Sequence, residues 1–94
     1  MRVQQSRSFA KKTKRFTKKQ KTILDKQVKR ILDNPDIGQE KKGDLRGVYV
    51  HKLKIESIQY LLSYRFEKDN LELVMLGPHE NYYRNLKTYL KSRK

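Results

Sequence analysis

Gly47–Tyr83, GVYVHKLKIESIQYLLSYRFEKDNLELVMLGPHENYY, reads as three consecutive strands. Apolar and polar residues alternate with period two through Val50–Ile55, Tyr60–Phe66 and Leu71–Leu76, with polar or turn-forming residues between the runs. Successive strand side chains point to opposite faces, so Leu53 and Ile55 share one face and Lys52 and Lys54 the other. On the second run Tyr60, Leu62, Tyr64 and Phe66 go together. Gln59, Leu61, Ser63 and Arg65 lie opposite, and that opposite face is where function is expected.

The 94 residues fit one domain, 1–94, with a modest core around a small sheet. Only 35% of them are hydrophobic, so the core must be compact. Twenty-four Lys and Arg against ten Asp and Glu give a net charge of +14. Such a charge costs stability through self-repulsion and becomes useful beside a polyanion, which makes nucleic acid or the ribosome the leading partner class. An anionic membrane is the weaker rival, because no long apolar face or lipidation motif accompanies the charge. There is no cysteine, which excludes disulfides, thiolate metal sites and a thiol nucleophile. The two histidines stand far apart with no acidic cluster between them, so no metal or other cofactor is expected. The absence of a signal-type or membrane-spanning segment makes the cytoplasm the expected location.

Upstream of the strands, Arg2–Ser6 alternates weakly and is read as a short first strand. Ser8 is placed to cap a very basic helix through Phe9, Thr13 and Phe16. Thr17-Lys18-Lys19-Gln20 has the form of a capping box, and Ile23, Leu24, Val28, Ile31 and Leu32 form the apolar stripe of a second helix. Asn34-Pro35 ends that helix, since the proline ring disfavours helical geometry in the residue before it. Its outer face carries Lys18, Lys19, Lys21, Lys26, Lys29 and Arg30, whose ordinary reading is a solvated surface. The segment from Asp36 to Asp44 reads as a loop, Ile55–Gln59 as a longer connection, and Lys68-Asp69-Asn70 as a tight turn. Gly77-Pro78 closes the last strand. A final helix then begins near His79 or Glu80, with Tyr83, Leu86 and Leu90 in one stripe and Tyr82 and Tyr89 beside it. The expected fold is α+β: about four strands, mostly antiparallel, with an N-terminal helical hairpin and a C-terminal helix covering one face. The second face, carrying Lys52, Lys54 and Arg65, is expected to be solvated or to cover something.

The order of Leu45-Arg46-Gly47, Lys52-Leu53-Lys54-Ile55, Gln59-Tyr60-Leu61-Leu62-Ser63-Tyr64 and Gly77-Pro78-His79-Glu80-Asn81-Tyr82-Tyr83-Arg84-Asn85-Leu86-Lys87 resembles the RelE/ParE superfamily of toxins from toxin-antitoxin pairs, and the RelE-like branch within it. The resemblance covers nearly the whole chain. It implies a RelE-like fold and a ribosome-dependent mRNA interferase that cuts mRNA in the ribosomal A site, held inactive by a cognate acidic antitoxin. Neither a membrane nor a small-molecule cofactor is among the implied partners.

Metal-independent RNA cleavage needs the 2′-hydroxyl aligned on its phosphate, a base, cations for the crowded phosphorane, and an acid for the leaving oxygen. The resemblance assigns Lys52 and Lys54 to the scissile phosphate, one of them as a possible base. It assigns His79 to proton transfer and Tyr83 to a nucleotide contact. For His79 the structural alternative is a helix-start residue bonded to backbone, and for Tyr83 it is packing of the last helix. Tyr82 is the alternative stacking ring, and Arg46, Arg65 and Arg84 complete the expected RNA-binding set. His51 shares the parity of Leu53 and Ile55 and is expected to be a semi-buried, satisfied histidine.

One departure stands out. Many RelE-like toxins carry an arginine directly after the aromatic residue of the second hairpin strand, whereas here Tyr60 is followed by Leu61. Arg65 or Arg46 would have to substitute. The competing functions are a ParE-like poison of DNA gyrase, which needs none of Lys52, Lys54 and His79, and a weakened toxin homologue acting as a binding module.

Overall fold

The computed structural model describes residues 2–92. Five strands form one sheet in the order β1-β5-β4-β3-β2: β1 (Arg2–Gln5), β2 (Gln39–Glu40), β3 (Tyr49–Ile55), β4 (Ile58–Glu67) and β5 (Asn70–Pro78). The helices are α1 (Arg7–Thr13), α2 (Lys18–Asp33) and α3 (Tyr82–Ser92). The three strands of the decisive stretch are present and antiparallel. The short first strand also forms, but it pairs parallel to β5, so the sheet is mixed and has five strands rather than about four. The extra strand is β2, a two-residue piece within the segment expected to be loop.

Local chemistry accounts for the boundaries. The Thr17 side chain accepts from the Gln20 amide and the Gln20 side chain accepts from the Thr17 amide, completing the capping box that starts α2. The first helix is capped two residues earlier than expected, because the hydroxyl of Ser6, not Ser8, accepts from the Phe9 amide. Ser6 also donates to the Val74 carbonyl and so ties the helix start to β5. The connection between β3 and β4 is a tight turn rather than a long one. Ile55 pairs with Ile58, and Glu56 and Ser57 take φ of 51° and 73°, the left-handed pair that a two-residue hairpin demands. No glycine or asparagine announces this turn, and Glu56 is held instead by the Gln20 amide at 2.7 Å.

The largest departure from expectation concerns the second face. Leu53, Ile55, Leu62, Tyr64, Leu71 and Leu73 bury against Phe9, Leu24 and Ile31 of α1 and α2. Val50, Leu61 and Val74 bury on the opposite side against Tyr82 and Leu86 of α3 and Leu45 and Val48 of the preceding loop. Helices therefore cover both faces. Leu61 and Ser63, expected on an open face, are fully buried. A bulge between Ser63 and Tyr64 leaves Val74 without a strand partner on β4, and this extra residue turns into the α3 cluster. Only the end of the second face beyond α3 stays open.

Tyr64 fixes the return of the chain from α2 to the sheet. Its hydroxyl donates to the Pro35 carbonyl at 2.6 Å and accepts from the Gly38 amide at 2.9 Å. A β-carbon on Gly38 would lie 2.7 Å from that hydroxyl oxygen, so the residue must be small. Tyr64→Phe leaves a buried amide and carbonyl unpaired and is expected to lower unfolding free energy by about 1–3 kcal/mol in urea titrations, with no change of fold.

Candidate nucleic-acid interface

The open end of the second face is built by strand register. Lys52 stands opposite Leu61, and Leu61 opposite Gly77. One row further along, Lys54 stands opposite Gln59. Both lysines are exposed, while their neighbours Leu53 and Ile55 are buried, as the alternation requires. His79 follows Gly77 by two residues, just past the end of β5, and is exposed. Two strand spacings, roughly 10 Å, separate the β3 and β5 backbones. By register the two lysines and His79 thus lie on the same side of the sheet, with Leu61, buried under α3, in the row between Lys52 and Gly77 and no carboxylate in either row.

His79 uses its carbonyl to accept from the Tyr82 amide at 3.2 Å, but its ring makes no backbone bond. The ring stands edge-on to Tyr83 with centroids 6.4 Å apart. Tyr83 is half-buried, edge-on to Tyr82 at 5.7 Å, with the Lys41 ammonium 5.0 Å from its ring centroid. A cation over a ring face is attracted by the ring's negative quadrupole. Lys41 is thereby held over Tyr83, a placement that nothing in the loop sequence signals. Arg46 is exposed in the same loop and bridges to Lys41.

Tyr82, expected as an alternative stacking ring, is 2% exposed. Its hydroxyl donates to the Met75 carbonyl at 2.7 Å and lies 2.9 Å from the Ser63 hydroxyl, and burial holds its phenol well above the usual range. Its ring is core and is unavailable to a base. Tyr83 keeps the freer ring of the pair. Arg84 is exposed and sits two residues, or 200°, around the helix from Tyr82, facing away from the sheet. Arg65 is exposed and stands opposite Glu72, four residues and about 13 Å along β4 from Leu61. The α3 cluster covers the strand between them. Arg65 therefore does not fill the place of the missing arginine.

At the outer edge of β3, past the end of β2, Lys52, Lys54 and Gln59 line a depression of about 330 Å³ with Gln27 and Arg30 of α2. Arg30, read from sequence as part of a solvated helix face, thus adds a third cation. The buried His51 lies next to it. Its Nε2 is 2.9 Å from the Gln27 side-chain oxygen, so the proton sits on Nε2. Burial first, and the Arg30 charge second, push its pKa down. Among the described residues no group of three His, Cys, Asp or Glu side chains converges as metal ligands do, and no helix is long and apolar enough to cross a membrane.

Residues 3–87 match the family model described as ParE-like toxin of type II bacterial toxin-antitoxin system. Among solved structures, the chain is similar to the E. coli RelBE toxin-antitoxin complex, with 21% identity and a TM-score of 0.66 over 84% of this chain and 96% of that one. It is similar to the isolated E. coli RelE toxin, with 20% identity and a TM-score of 0.63 over 94% and 97%. It is also similar to a YoeB/ParE toxin from Agrobacterium tumefaciens, with 17% identity and a TM-score of 0.64 over 84% and 99%. The search of curated proteins returns no match.

The His51 arrangement sets a pH dependence. A histidine whose folded pKa lies below its ordinary 6.5 binds fewer protons folded than unfolded, so stability is full above that value and falls as pH drops through it toward the folded pKa. Thermal melts between about pH 7.5 and pH 5.5 are expected to lose more stability in the native chain than in His51→Gln, which has no ring to protonate.

Proposed function

We propose that the chain, which belongs to the ParE-like toxin family of type II bacterial toxin-antitoxin systems, is a ribosome-dependent endoribonuclease that cleaves mRNA in the A site without a metal ion. The observation that supports this reading is the register that sets Lys52 and Lys54, both exposed, on the same side of the sheet as the end of β5, where His79 meets the Tyr83 ring. In the proposed reaction the 2′-hydroxyl gives its proton to water as its oxygen attacks the adjacent phosphorus, and the bond from phosphorus to the 5′-oxygen breaks. The products are a 2′,3′-cyclic phosphate and a 5′-hydroxyl. Lys52 and Lys54 hold the non-bridging oxygens, where preformed cations favour the extra charge of the phosphorane. His79, exposed and edge-on to Tyr83, gives a proton to the leaving oxygen as general acid. Tyr83 offers a ring to an unpaired base, with Lys41 and Arg46 contributing positive charge beside it.

The reading includes an acidic antitoxin as cognate partner and action in the cytoplasm. A net charge of +14 favours an acidic partner through complementarity, and the similar RelE chain is found in a complex with its antitoxin. A second reading, a weakened toxin homologue acting as a binding module, is favoured by Leu61. Its full burial means that the arginine usual in RelE-like toxins is replaced by core.

Induced expression is expected to arrest growth and to leave transcript 3′ ends within translated codons, bearing cyclic phosphates that form equally in chelator. Lys52→Ala, Lys54→Ala and His79→Ala are each expected to cut the rate by about 10²-fold or more, with melting unchanged because all three side chains are exposed. DNA double-strand breaks with intact mRNA would replace this reading with gyrase poisoning. Co-expression of an acidic protein encoded beside the toxin is expected to restore growth.

A further inference from the structure

The outer edge of β5 is paired with β1 only as far as Leu73. From Met75 to Pro78 it borders a cleft of about 600 Å³ between α1 and the start of α3. Ser8, Lys11, Lys12 and Arg15 line that cleft; the spacing of three and four residues puts Ser8, Lys11 and Lys12 on one flank of α1, and Arg15 follows just past its end. Phe9 and Thr13 take the other flank, and Phe16, beyond the helix, lines the cleft. Phe9 is buried, Thr13 bonds the Phe9 carbonyl, and Phe16 packs edge-on to Tyr60 at 6.0 Å. Lys11, Lys12 and Arg15 are exposed and have no ion-pair partner among the described residues. Glu80 is the one acidic residue of the lining. An unpaired cationic flank is costly in self-repulsion, and facing a groove it becomes favourable when a polyanion fills that groove.

The floor of the cleft connects it to the lysines. Gly77 lines it and is also the third member of the row from Lys52 through Leu61. Phe16 and Pro78 add apolar surface beside the cations, the combination of ring and charge on which single-stranded nucleic acid lies. We propose that the α1 cleft holds the flanking phosphates of the RNA strand whose scissile phosphate sits at Lys52 and Lys54. The strand then crosses the sheet from β3 to β5, and α1 grips the part that is not cut. This track rests on the ribonuclease reading, although RNA binding by it is measurable apart from cleavage.

The test compares the native chain with Lys11→Gln/Lys12→Gln/Arg15→Gln, using 2′-O-methyl oligoribonucleotides that have no nucleophile and cannot be cut. Fluorescence anisotropy is read against salt for probes of about two and about ten nucleotides. The native chain is expected to bind the long probe more tightly, and the triple variant to lose that advantage by tenfold or more. The magnitude of its log-log salt slope should fall by about 2, since each phosphate contact on a single strand contributes about 0.7. Binding of the short probe stays unchanged. Lys11→Arg/Lys12→Arg/Arg15→Lys keeps the native behaviour, which separates charge from folding. An unchanged salt slope in the triple variant overturns the proposal. So does a variant that binds RNA normally but has lost affinity for the acidic antitoxin, which would make the cleft a protein-docking surface. A native chain that holds the long probe through these cations yet cuts no message sinks the ribonuclease reading and leaves the track standing.

Discussion

The central strand β4 is buried on both sides over Leu61–Tyr64, and the rest of the molecule is placed by what must cover each side. Leu62 and Tyr64 look toward α1 and α2, while Leu61 and Ser63 look toward α3. A sheet of five strands with one bare apolar face would not be stable in water, because each large side chain removed from solvent contributes about 1.5–3 kcal/mol. The C-terminal helix is therefore as much a part of the core as the N-terminal pair. It lies across the middle and leaves one end of the second face open. The exposed Lys52 and Lys54 stand on the part of the sheet beyond this helix.

Burial of polar groups obeys the same constraint. The hydroxyls that enter the core arrive with partners: Tyr64 with Pro35 and Gly38, Tyr82 with Ser63 and Met75, and Ser6 with Val74 and Phe9. Each pair also ties an irregular segment to the sheet, so the polar contacts set position where apolar packing alone would permit sliding. The loop before β3 is held in this way at Gly38, and Lys41 follows from there to its place over Tyr83.

Strand alternation and the capping box made the three central strands, α2 and the outward direction of Lys52 and Lys54 legible in the sequence. What was hidden depended on partners remote in the chain. The adjacent leucines at 61 and 62 break the period of two, which is the trace of a strand buried on both faces, yet nothing local says what covers Leu61. Tyr82 and Tyr83 differ by 100° of helix rotation, and without the position of the sheet either could be the inner ring. The parallel pairing of β1, the cation over Tyr83 and the meeting of Arg30 with the β3 lysines each join segments more than twenty residues apart, beyond the reach of any local pattern.

Leu61 ties the core to the chemistry. Its position in the row between Lys52 and Gly77 would hold a cation at the centre of that row, but its side chain completes the cluster under α3. A guanidinium there would be desolvated by Val50, Val74 and Tyr82, at a cost of several kcal/mol unless paired. The apolar residue is thus demanded by the packing that α3 imposes, and positive charge is displaced to the perimeter: Lys52, Lys54 and Arg30 on one side, Lys41 and Arg46 on another, and the α1 cations on a third. Apart from the half-buried Lys41, charges so arranged are exposed and screened, with interactions of about 1 kcal/mol or less across 4 Å of water-like medium. Their effect depends on several acting together on one polyanion. A strand of RNA, whose phosphates come at regular intervals, satisfies that requirement in a way that a single small anion does not.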